Sequence, residues 1–138
     1  MTAALVDSNV LLDVLTEDKQ WFAWSSDALE RAAEVGRIVI NPIVYAEISA
    51  RFSRIEDLEF ALPKTMIDRE AIAYEAAFLA GKVFMTYRRR GGVKTSPLPD
   101  FFIGAHAATA GYRLLTRDPK RYRQYFPTLE ILAPLMKP

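Results

Sequence analysis

The sequence predicts an α/β protein: a parallel β-sheet flanked by helices. Two observations carry that expectation. Short apolar runs at residues 3–6, 38–40 and 114–115 alternate with longer stretches of helical periodicity, the pattern of strands joined by helical crossovers. The runs also stop at polar groups, Asp7, Asn41 and Thr116, and in open sheets of this kind ligands bind beyond the carboxyl ends of the strands. Crossovers are expected to be right-handed.

Taken in order, residues 3–6 read as a buried strand that stops at Asp7-Ser8-Asn9. Val10, Leu11, Leu12, Val14 and Leu15 then open a short amphipathic helix with Asp7 placed to cap it. Residues 21–35 carry Trp21, Trp24, Ala28, Leu29, Ala32 and Val35 at helical spacing, and Gly36 ends the run. Ile38-Val39-Ile40 is β-branched throughout and reads as a second strand. Asn41-Pro42 starts the next helix, with Asn as cap and Pro in the first turn, and sets Glu47 between Ala46 and Ile48. Residues 51–63 have mixed helical character. Residues 65–67 are expected to form a short strand, after which Asp68 caps a long helix with Glu70 in its first turn. The stripe Ile72, Ala76, Leu79, Val83 and Tyr87 is expected in the core, as are Tyr74, Phe78 and Phe84. That helix runs into Arg88-Arg89-Arg90 and ends at Gly91-Gly92.

Pro97 and Pro99 stiffen the following loop, so the next helix is expected to start at Asp100. A carboxylate there can accept backbone N–H groups and meets the positive end of the helix dipole. Gly104, Ala105, Ala107, Ala108 and Ala110 let this helix approach a sheet closely, and Gly111 stops it. Leu114-Leu115 is a buried strand with Asp118 just beyond it. Residues 120–125 read as a short helix, with Asp118 in position to cap it; residues 128–132 form a last strand and 136–138 a tail.

At 138 residues the chain is expected to be one domain, residues 1–138, with a core that needs no staples. The absence of cysteine excludes a disulfide framework, thiol catalysis and cysteine-ligated zinc. Charges nearly cancel, at 18 basic and 17 acidic residues, but they are not evenly spread. Arg88, Arg89, Arg90 and Lys94 form one basic cluster, and Arg113, Arg117, Lys120, Arg121 and Arg123 another. A cationic rim around an acidic centre suits a polyanion that must approach carboxylates. No apolar run nears the ~20 residues that span a bilayer, and the first residues lack the basic head of a signal peptide. The protein is therefore expected to be cytoplasmic, with no membrane partner.

Asp7, Glu47, Asp100 and Asp118 share one description. Each lies at or just past a strand's carboxyl end, or early in the helix that follows. Clustered carboxylates repel unless a counter-charge is present. All-oxygen ligands suit Mg²⁺ or Mn²⁺ over zinc or copper, and such an ion activates water and polarises a phosphoryl oxygen. The only histidine, His106, falls about 240° round the helix from Asp100 and is expected to be packed or exposed, not catalytic. Without a second histidine or a cysteine a His-based triad is hard to build, and Gly91-Gly92 lacks the context of a phosphate loop.

The motifs Leu5-Val6-Asp7-Ser8-Asn9-Val10-Leu11-Leu12-Asp13, Pro42-Ile43-Val44-Tyr45-Ala46-Glu47, Pro99-Asp100-Phe101-Phe102-Ile103-Gly104-Ala105-His106-Ala107 and Leu114-Leu115-Thr116-Arg117-Asp118-Pro119 resemble the PIN-domain ribonucleases, and within them the VapC-type toxins of bacterial toxin–antitoxin pairs. The resemblance implies a PIN-like three-layer α/β fold with the first strand central. It implies Mg²⁺- or Mn²⁺-dependent cleavage of RNA, with Asp7, Glu47, Asp100 and Asp118 as the metal-binding acids. By the same likeness Asn9 and Thr116 help hold the acidic site, and Ser8 stands where threonine is frequent. A homodimer and a small cognate antitoxin are also implied. Arg88, Arg89, Arg90, Lys94 and Arg117 are candidate RNA contacts. The rival expectations are a haloacid-dehalogenase-like Mg²⁺ phosphatase, which wants an aspartate where Asn9 stands, and a PIN-like module that binds RNA or protein without cutting.

Overall fold

A computed structural model describes residues 2–136; the rest of the tail read at 136–138 lies outside the described residues. The elements are β1 (Ala4–Val6), α1 (Ser8–Leu15), α2 (Phe22–Val35), β2 (Ile38–Ile40), α3 (Pro42–Ser49), α4 (Ile55–Ala61), β3 (Asp68–Arg69), α5 (Tyr74–Arg89), α6 (Pro99–Ala110), β4 (Arg113–Leu115), α7 (Lys120–Tyr125) and β5 (Ile131–Leu132). All strand pairs are parallel and the order is β3-β2-β1-β4-β5. Leu5 stands opposite Val39 on one side and Leu114 on the other. Central strands covered on both faces are mostly apolar; β1 and β2 are apolar and buried throughout, and β4 is equally buried but opens with Arg113, which donates to the Thr2 carbonyl at 3.1 Å.

The chain leaves β1 towards β2 and β3, and later returns to β4 and β5 on the opposite side. With right-handed crossovers this change of direction puts the two sets of helices on opposite faces. It opens a crevice between the carboxyl ends of β1 and β4. Helix α6 packs on β1 and β4 and also touches α3, α5 and α7. Its buried face is Phe101, Ile103, Gly104, Ala105, His106 and Ala107. A side chain at Gly104 would collide with the Phe126 ring, so the bare backbone is what lets the end of α7 lie against α6. Gly111 closes α6 in the left-handed region at φ 74°, where a side chain is strained.

The strand expected at residues 65–67 is a turn: the Pro63 carbonyl accepts from both Met66 and Ile67 N–H, and Met66 is exposed. The paired residues are Asp68 and Arg69, opposite Val39 and Ile40. A polar edge strand is allowed because it pairs on one side only; Arg37–Asp68 at 2.7 Å and Arg69–Glu59 at 2.8 Å brace it. Asp68 is therefore in a strand and caps nothing. Helix α5 begins at Tyr74 after Ala73, with no side-chain cap, and Glu70 lies ahead of it. Ala76, Ala80 and Val83 bury the stripe, whereas Tyr74 (92%) and Phe78 (68%) are exposed; Phe84 stacks on Tyr87. Residues 51–63 resolve into α4, and the last strand is only Ile131–Leu132.

Candidate active site

Local rules place the acids. Asp7 follows the buried β1 and caps α1, its carboxylate accepting the Ser8 N–H at 2.8 Å. Asn41 caps α3 by accepting the Val44 N–H at 3.0 Å, with Pro42 in the first turn; that orients Glu47. Helix α6 starts one residue earlier than expected, at Pro99. Asp100 makes no capping bond, and its carboxylate is left for the crevice. Asp118 does not cap α7 either: Pro119 holds that position, and the Asp118 N–H donates to Thr116 Oγ1 at 3.1 Å.

Asp7, Asp100 and Asp118 are linked through shared donors, and Glu47 joins them through Ser8, the residue next to Asp7. Asp7 is buried, and its Oδ2 accepts from Thr116 Oγ1 at 2.9 Å and Tyr122 Oη at 3.0 Å. The same phenol lies 3.4 Å from Asp100 Oδ1. Asn9 Nδ2 reaches Asp7 Oδ2 at 3.4 Å, Thr116 Oγ1 at 3.2 Å and Asp118 Oδ2 at 3.4 Å. Ser8 Oγ donates to Glu47 Oε1 at 2.9 Å. The crevice is deepest at Asp7 and opens to solvent at Asp118.

Charge in the crevice is unbalanced. Arg121 reaches Asp100 at 3.4 Å and Arg117 reaches Asp118 at 3.6 Å. Among the described residues no lysine or arginine pairs with Asp7 or Glu47. Burial pushes the Asp7 carboxyl up to about 6, against hydrogen bonds from Thr116 and Tyr122, and repulsion from Asp100 and Glu47 adds to it. Burial also raises Glu47, with Ser8 opposing and Asp100 adding. Asp100 is raised by burial although Arg121 and Tyr122 pull it back. Among the described residues no three acids or histidines stand close enough to ligate one ion directly. The all-oxygen donors and the missing positive charge nonetheless fit a hard divalent cation, bound through a mixture of side chains and water.

The basic residues divide. The α5 end packs beside Asp100, since Tyr87 meets Phe101 edge-on and Arg90 lies over Tyr125. Arg88 holds the Lys94 carbonyl at 2.8 Å, and Arg88, Arg89, Arg90 and Lys94 are all exposed at this rim. Arg117 Nε donates to Asp13 at 2.8 Å and its guanidinium lies over the Trp21 ring, while Nη1 stands 3.6 Å from Asp118. His106 is buried, bonded to Asn41 and Glu70 and not to the acids of the crevice. Sequence reasoning passed over Tyr122 and did not single out Arg121 for the site. Their one signal is position, three and four residues after Asp118 in a helix that opens at the crevice.

The PIN domain family model matches residues 4–127. No curated protein matches the chain. Among solved structures the chain is similar to VapBC2 from Rickettsia felis bound to a DNA fragment from its promoter, with TM-score 0.73, 18% identity, and 95% of this chain and 98% of that chain covered. It is similar to VapBC-1 from nontypeable Haemophilus influenzae, with TM-score 0.71, 18% identity and coverage of 95% and 97%. A toxin–antitoxin complex from Klebsiella pneumoniae matches with TM-score 0.67, 22% identity and coverage of 94% and 95%. At these identities the likeness is one of fold.

Proposed function

The chain belongs to the PIN-domain family, and on that premise we propose that it is a Mg²⁺- or Mn²⁺-dependent endoribonuclease, the toxin of a type II toxin–antitoxin pair. The observation that carries the reading is the crevice itself: Asp7, Asp100 and Asp118 are linked through Tyr122, Asn9 and Thr116, Glu47 is held by Ser8 beside Asp7, and Asp7 has no cationic partner among the described residues. A bound divalent ion supplies positive charge for the carboxylates and Lewis acidity towards a phosphodiester. Asp7 and Asp100 are its principal holders. Glu47 and Asp118, farther out, complete the acidic set, and either carboxylate can orient an attacking water by accepting its proton. Ser8, Asn9 and Thr116 fix the acids' orientation. Arg88, Arg89, Arg90, Lys94 and Arg121 hold the RNA backbone at the rim.

The partner follows from the same reading. The similar structures are VapBC and other toxin–antitoxin complexes, which supports a small antitoxin for this chain; a homodimer acting in the cytoplasm completes the proposal. No described helix is long and apolar enough to cross a membrane. Family membership sets aside the dehalogenase-like phosphatase, and the non-cutting module is separated by experiment. Purified Asp100→Ala protein should lose Mn²⁺-dependent RNA cleavage while keeping its circular dichroism spectrum. Cleavage at the wild-type rate by that variant overturns the proposal.

A further inference from the structure

We infer that Tyr122 is a positioning residue of this site: its hydroxyl bridges Asp7 and Asp100 and sets where the two carboxylates stand to receive a divalent cation. The inference rests on the metal-nuclease reading above. Tyr122 is 1% exposed, so its ring is fixed by the core and its hydroxyl has little freedom. The Oη lies 3.0 Å from Asp7 Oδ2 and 3.4 Å from Asp100 Oδ1. A phenol carries one proton, so it satisfies one carboxylate fully, and Asp7 is the nearer. A phenol hydroxyl is a neutral donor, so it adds no further negative charge to the crevice.

Without that hydroxyl, Asp7 keeps Thr116, the Ser8 N–H and the longer Asn9 contact, and Asp100 keeps only Arg121 at 3.4 Å. Among the described residues no other side chain bonds to both aspartates. Removing a partner that orients a metal-ligating group typically costs 10–100-fold in metal affinity. Tyr122→Phe keeps the ring and its packing. Tyr112→Phe is the matched control, because it deletes a tyrosine–carboxylate bond of 2.6 Å to Glu70, outside the crevice.

The test is calorimetric titration of Mn²⁺ into the full chain, with folding of each variant checked by circular dichroism. Tyr122→Phe should bind Mn²⁺ roughly 10-fold more weakly than wild type, and Tyr112→Phe within about 2-fold of it. Unchanged or tighter binding by Tyr122→Phe overturns the inference alone. An equal loss in both variants also overturns it, since the effect would then be general loosening. No heat with the wild-type protein overturns the metal-nuclease reading, and the inference with it.

Discussion

Two carboxylates, the buried Asp7 in the crevice and the half-buried Glu70 beyond β3, each accept a hydrogen bond from a tyrosine, yet their surroundings treat them oppositely. Glu70 accepts Tyr112 Oη at 2.6 Å, Arg37 Nη2 at 3.3 Å and His106 Nε2 at 3.3 Å. Asn41 Nδ2 donates to His106 Nδ1 at 3.0 Å, which leaves Nε2 as the ring nitrogen that donates to Glu70. Burial pushes Glu70 up, but the bonds from Tyr112, His106 and Arg37 outweigh it and hold the carboxyl below its ordinary value. Asp7 has hydroxyl and amide donors but no cation, and ends raised. Burial is common to both; the missing counter-charge is what marks the acid with work to do.

The comparison can be broken in several ways. The largest expected effect is on chemistry. Asp7→Ala should reduce RNA cleavage on the order of 1,000-fold or more, whereas Glu70→Gln should leave it within a few-fold; single-turnover rates on a labelled RNA decide. Equal losses would erase the distinction between the two acids.

Next is pH. The Asp7 carboxyl titrates near 6 when folded against an ordinary 3.8, so the folded state binds the extra proton. Its stabilising contribution is fully present below pH 3.8 and is lost as pH rises through 6. The whole window is on the order of 3 kcal/mol, about half of it between pH 5 and pH 7.5. Urea denaturation of metal-free wild type should show this loss relative to Asp7→Asn. Parallel pH profiles for the two proteins would contradict the assignment.

A smaller effect is expected at the satisfied cluster. Glu70→Gln removes the charged acceptor shared by Tyr112, His106 and Arg37 and should cost about 2 kcal/mol of unfolding free energy, read as a lower urea midpoint, with Mn²⁺ affinity unchanged. The smallest is Asp68→Asn. Its pair with Arg37 is about half exposed on both sides, so the change should stay within about 1 kcal/mol. A larger loss there would mean that the β3 edge is more dependent on charge than its exposure implies.

Much of this was legible from the chain, for a physical reason. Asp7, Asn41 and the Pro99-Asp100 start are set by caps, prolines and short apolar runs, all of which act over a few residues. Strands β1 and β2 are apolar throughout; brevity and a polar stop favour a strand at residues 3–6, and β-branching favours one at Ile38-Val39-Ile40. The failures lie where tertiary pairing decides. Met66 and Ile67 have strand propensity, but Asp68 and Arg69 pair with β2 because Arg37 and Glu59 wait for them. Tyr74 and Phe78 fit a helical stripe, but the burial is taken by Ala76, Ala80 and Val83, small residues that admit α6. Tyr122 was invisible because an aromatic in a short helix reads as packing, and only three dimensions show where its hydroxyl goes.

Gly104 ties the geometry of the crevice to an atom the chain lacks. One turn after Asp100, it lets Phe126 rest on α6, and Phe126 follows the helix that delivers Tyr122. A methyl group there would wedge the two helices apart and widen the gap that the phenol spans, without touching any acid. The tolerance of this site to mutation is therefore narrower than its list of polar residues implies: a single methyl group in the apolar layer acts as a gauge for the opening between the acids.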